Sequence, residues 1–94
     1  MHIKLNKIKD NNTIISYQFS IKEWLVDTDI NDYALKTLYG YCLFNKETEE
    51  FELDKEKTDP YFLENTHASI LVMGKLMKCN KEKNFPNFLE IATG

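Results

Sequence analysis

The sequence predicts an α+β fold, a small antiparallel β-sheet (two hairpins plus a C-terminal strand) packed against one main helix. Three observations carry this. Ile3 and Leu5, then Ile15, Tyr17, Phe19 and Ile21, alternate with polar residues at the period of a half-buried strand. Leu38 to Phe44 and Phe51 with Leu53 form a second strand pair around a polar loop. From Asp59-Pro60 onward, apolar residues recur near helical spacing.

Taken in order, Asp10-Asn11-Asn12-Thr13 separates the first two strands. Short side chains of this kind tolerate left-handed backbone and bond their own main chain, so a hairpin follows. Ser20-Ile21-Lys22-Glu23 matches a capping box and predicts a short helical turn carrying Trp24 and Leu25 into the core. The second hairpin has Asn45 to Glu49 as its loop, with Glu50, Glu52 and Asp54 on the wet face and Phe51 and Leu53 on the other. Proline at the first helical position after Asp59 suits a helix start. Leu63, His67, Ile70, Leu71, Gly74 and Met77 then define its apolar stripe. The run Ser69 to Met77 is also compatible with a buried strand, and the spacing favours helix. Asn80 to Asn84 breaks the helix, and Phe88 to Ile91 forms the last strand. Tyr17, Phe19, Trp24, Leu43 and Ile70 are the expected core.

A chain of 94 residues predicts one domain, 1–94, because two cores of half that length bury too little surface. An apolar share of 43% is that of a globular protein rather than a disordered one. No apolar run exceeds the four residues Ile70 to Met73, far short of the ~20 of a membrane span. The N-terminus has lysines but no apolar h-region, so a signal peptide is not expected. Cys42 and Cys79 fit neither a CxxC pair nor a disulfide framework, and read as reduced, half-buried residues of a cytoplasmic protein.

The net charge of −3 is unevenly spread. Residues 1–22 carry +3, 23–43 carry −3, 44–62 carry −4 and 63–94 carry +1. All twelve basic residues are lysine, and the absence of the arginine fork argues against a reader of nucleic acid. The acidic middle suits a cationic partner better.

Asp27-Thr28-Asp29-Ile30-Asn31 begins like a calcium loop, D-x-D-x-N. The loop requires glycine where Asp32 stands and a bidentate glutamate where Leu38 stands, so calcium is not expected. His2, Cys42, His67 and Cys79 lack the close pairing of zinc ligands. Gly40, Gly74 and Gly94 are isolated, so no phosphate-cradling loop is present. A Cys42–His67 nucleophile pair has nothing to support it, and His67 reads as a core histidine bonded to a backbone group. No catalytic residue, cofactor or metal is therefore expected.

Binding remains. Tyr33, Tyr39, Tyr41 and Tyr61 flank the acidic segments, and tyrosine is a favoured interface anchor. Asp27, Asp29 and Asp32 form one candidate patch, and Glu47, Glu49, Glu50, Glu52 and Asp54 another, with Tyr39 and Tyr41 beside them.

The run Gly40 to Thr48, continuing through Glu52-Leu53-Asp54 to Lys57-Thr58-Asp59-Pro60-Tyr61-Phe62, resembles the small immunity proteins of bacterial contact-dependent growth inhibition and related polymorphic toxin systems. Phe85-Pro86 and the ending Ile91-Ala92-Thr93-Gly94 add to the resemblance, which covers about the second half of the chain. It implies a cytosolic protein that neutralises a cognate toxin domain, of a kind that is often a nuclease with a basic cleft. Two other classes stay open. One is a homodimeric regulatory module pairing through the edge strand Phe51 to Asp54; the other is a small-ligand or enzymatic domain with a concave site.

Overall fold

The computed structural model describes residues 1–93; Gly94, the end of the stretch that entered the resemblance, lies outside them. The elements run β1 (His2–Asp10), β2 (Ile14–Asp27), β3 (Asp32–Asn45), β4 (Phe51–Leu53), α1 (Pro60–Glu64), α2 (His67–Glu82) and β5 (Phe88–Ala92). The five strands form one antiparallel sheet in the order β4-β3-β2-β1-β5. Both helices contribute to the core on one face, so the α+β architecture is as the sequence predicts.

The expected turns form where their chemistry lies. Asn11 Oδ1 accepts from the amides of Thr13 and Ile14, and Asn45 Oδ1 accepts from Glu47 and Thr48. Glu49 completes the second turn in the left-handed region, φ 62°. At the end of α2, Lys83 takes φ 54°, its amide donates to Asn80 O, and Asn84 N donates to Cys79 O. These bonds satisfy the last helical carbonyls and stop the helix.

The core follows from alternation. Ile15, Tyr17, Phe19 and Ile21 of β2 point to the helical face together with Ile3, Leu5, Leu38, Cys42 and Phe44, and all are buried. Phe62 of α1 meets Phe19 edge-on at 5.0 Å between centroids. The segment before β5 is strapped down by Tyr17, whose hydroxyl donates to Pro86 O at 2.5 Å.

Four expectations are corrected. Ser20 to Glu23 is not a helical turn: β2 continues to Asp27 and pairs residue by residue with β3 back to Asp32. The cross-strand ladder satisfies the amides that a cap would serve, and the period of two is kept. Leu25 packs against the core, whereas Trp24 points to the opposite face and is 62% exposed.

The apolar stripe of α2 is also rotated. Ala68, Ser69, Val72, Leu76 and Cys79 are buried, while Leu63, His67, Ile70, Gly74 and Met77 are exposed and Leu71 is intermediate. Because Ile70 to Met73 are all apolar, spacing alone does not select the face. An exposed His67 is no core histidine. Leu43 is only half-buried, because its neighbours Cys42 and Phe44 take the core face. Finally, both cysteines are buried and free rather than half-buried, with Cys42 1% and Cys79 5% exposed.

Candidate functional site

The two acidic segments stand at opposite ends of β3. A strand of fourteen residues at about 3.3 Å each spans roughly 43 Å, close to the molecule's longest dimension of 47 Å. They are therefore two sites and not one.

At one end, Asp27, Asp29 and Asp32 ring the tip of the β2–β3 hairpin. Asp27 is spent locally: its Oδ1 accepts from the Asp29 amide, and its Oδ2 is 3.2 Å from Lys36 Nζ. Those two bonds hold its carboxyl below the usual carboxylate range. Asp32 accepts from the Tyr33 amide at 2.7 Å. Asp29 is exposed, and its carboxylate forms no ion pair among the described residues.

At the other end, Glu47, Glu49, Glu50 and Glu52 lie on the β3–β4 turn and on β4, all exposed. The lysine beside them in sequence does not neutralise them. Lys46 Nζ reaches Asp10 Oδ1 at 2.5 Å and Asn11 O at 2.7 Å, and lies 5.2 Å from the centroid of the Phe85 ring. None of the four glutamates has a cation within 4.0 Å among the described residues. Glu49 accepts from Asn80 Nδ2 at 3.3 Å. Asp54 belongs to the fold instead: its Oδ1 accepts from the amides of Glu56 and Lys57, shaping the turn before α1.

Tyr39 and Tyr41 share the sheet face opposite the helices. Tyr39 is 44% exposed, and the half-buried Tyr41 hydroxyl accepts from Gln18 Nε2 at 2.8 Å. Their backbone edge is already occupied. Thr58 Oγ1 bonds both N and O of Tyr41, while Asp59 bonds Tyr39 through its amide and its Oδ2. β4 itself is an edge strand of three residues, and its short, acidic run blunts edge-to-edge pairing.

Sequence reasoning missed an exposed apolar face. Beyond the part of the sheet covered by the helices, β2 and β3 run on as a two-stranded ribbon. Trp24 pairs with Leu35 and Val26 with Tyr33, so these four side chains share the outer face. They are 62%, 50%, 59% and 63% exposed, and Ile30 at the tip is 60% exposed. The signal was present as alternation on both sides of Asp27 to Asp32, but the capping-box match at Ser20 competed with it. At the root of the ribbon on the same face, a shallow hollow of about 200 Å³ is lined by His2, Lys4, Ser20, Ile21, Lys22 and Thr37.

Chemistry elsewhere is sparse. Burial pushes the Cys42 thiol up to about 12, and its Sγ donates to Tyr17 O at 3.6 Å. A thiol so held is a packing group and not a nucleophile. Among the described residues, no three His, Cys, Asp or Glu side chains group to hold a metal ion. No described helix is long and apolar enough to cross a membrane. No family model, curated protein or solved structure matches the chain.

Proposed function

We propose that this chain is a cytosolic immunity protein that binds and neutralises a cognate toxin domain with a basic surface, most simply the substrate cleft of a nuclease. The observation that carries it is the engagement of Lys46 with Asp10, which leaves Glu47, Glu49, Glu50 and Glu52 without a cation partner among the described residues. Charge of one sign on a protruding turn draws in a cationic partner and speeds encounter, by about 10-fold or more at low salt. Asp27 and Asp54 drop out of the candidate set, because their carboxylates are committed to turns of the fold. The resemblance of residues 40–62 to immunity proteins supports the same reading.

The test is protection. A candidate toxin domain that binds the chain in a pull-down is expressed alone and together with it, and growth is scored. Wild type restores growth. Glu50→Lys with Glu52→Lys keeps its thermal midpoint but associates at least about 10-fold more slowly at low salt, with a flatter salt dependence. Failure to protect, or wild-type association by the double variant, overturns the proposal.

A further inference from the structure

The ribbon is remote from the glutamate end, and its chemistry is ordered along its length. First comes the acidic tip, with Asp29 exposed and free of ion pairs among the described residues. The apolar span follows: Val26 with Tyr33, then Trp24 with Leu35. The basic hollow comes last, where Lys4 and Lys22 are exposed and neither forms an ion pair among the described residues, although Glu90 faces Lys4 across the β1–β5 ladder.

Acid, apolar, base is a self-complementary order. The middle of the apolar span lies at Leu25. Lys22 is three residues to one side, about 10 Å at strand rise, and the tip is a similar distance to the other. A two-fold axis across the strands at Leu25 therefore brings the tip of one copy over the Lys4–Lys22 hollow of the other, at both ends at once. An axis along the strands would stack acid on acid, and charge disfavours it.

The area is sufficient. At the exposures given above, Trp24, Val26, Ile30, Tyr33 and Leu35 present roughly 600 Å² of surface, most of it apolar, near the upper limit of what monomers expose. Two such faces bury about 1,200 Å², the size at which specific interfaces begin. We propose that the outer face of the β2–β3 ribbon is an isologous homodimer interface, two copies packing face to face with their ribbons antiparallel. Trp24 of each copy then covers Val26 and Tyr33 of the other. The two glutamate ends point away from the axis and stay free, so this interface stands or falls separately from toxin binding.

Sedimentation equilibrium of the full chain tests it. Wild type has twice the 11.1 kDa chain mass at micromolar concentration. Trp24, the one tryptophan, reports on its own burial, so its emission shifts to the red on dilution. Lys22→Asp alone and Asp29→Lys alone each weaken association at least about 10-fold, and the double swap restores it, a rescue that no folding defect produces. Glu50→Lys with Glu52→Lys leaves the mass unchanged. A wild-type monomer at 100-fold above micromolar concentration, a dimer indifferent to Trp24→Ala with Tyr33→Ala, or a double swap without rescue overturns the interface. So does a monomer whose ribbon is covered by the toxin domain.

Discussion

The ring of Phe19 lies flat over Gly40 on the neighbouring strand. A Cβ built on Gly40 would overlap that ring, with Cε2 2.6 Å away. Phe19 is completely buried and also receives Phe62 of α1 edge-on, so it has nowhere to retreat. The bare backbone of Gly40 is thus the floor on which the sheet–helix core is built.

Gly40→Ala should lower stability by about 1–3 kcal/mol, the cost of overpacking a filled core. Denaturant unfolding measures it. Gly74→Ala serves as the control, because its Cβ meets nothing within 4 Å among the described residues, and it should gain up to about 1 kcal/mol from helix propensity.

The rotated face of α2 predicts a contrast between two apolar residues of the same helix. Leu76→Ala empties a site with no exposure and should cost about 2–5 kcal/mol. Ile70→Ala, 56% exposed, should cost at most about 1 kcal/mol. Equal losses in thermal or urea unfolding would mean that the helix packs through the other stripe.

Asp10 ties two turns together. Hydrogen bonds from Lys46, then from Lys7, hold its carboxyl below 3.8, its unperturbed value. The depressed folded-state value means that the ionised form is favoured in the fold. The contribution is therefore complete well above the unfolded value of 3.8 and is lost as pH falls through the lowered folded value. With a third of the side chain exposed, it amounts to no more than about 1 kcal/mol. Asp10→Asn should be less stable than wild type at pH 6, and the difference should close as pH falls below the lowered folded-state value.

Cys42 and Cys79 are both buried, and burial raises both thiols. At pH 8 neither should react with a thiol reagent while the protein is folded. Both should react at the rate of a free cysteine in denaturant. Rapid labelling under native conditions would show that the helix–sheet core opens locally.

The sequence by itself determined the strand segments Ile15 to Ile21 and Leu38 to Phe44, the turns and the acidic ends, but not the continuation of β2 and β3 to Asp27 and back to Asp32. Alternation at Ile15 to Ile21 states which residues share a face, and Asn11 and Asn45 bond their own downstream amides whatever surrounds them. These are local effects, decided within a few residues. The tertiary structure decided which faces are covered. Ile70 and Val72 are equally apolar, and only the seating of α2 on the sheet buries one and exposes the other. Trp24 follows its strand's alternation faithfully, yet no described helix lies over its face, so an apparent core residue becomes surface. Lys46 sits beside Glu47 in sequence but pairs with Asp10, 36 residues away. Charge density is written in the chain, while the pairing that leaves charge unneutralised depends on which turns the sheet brings together.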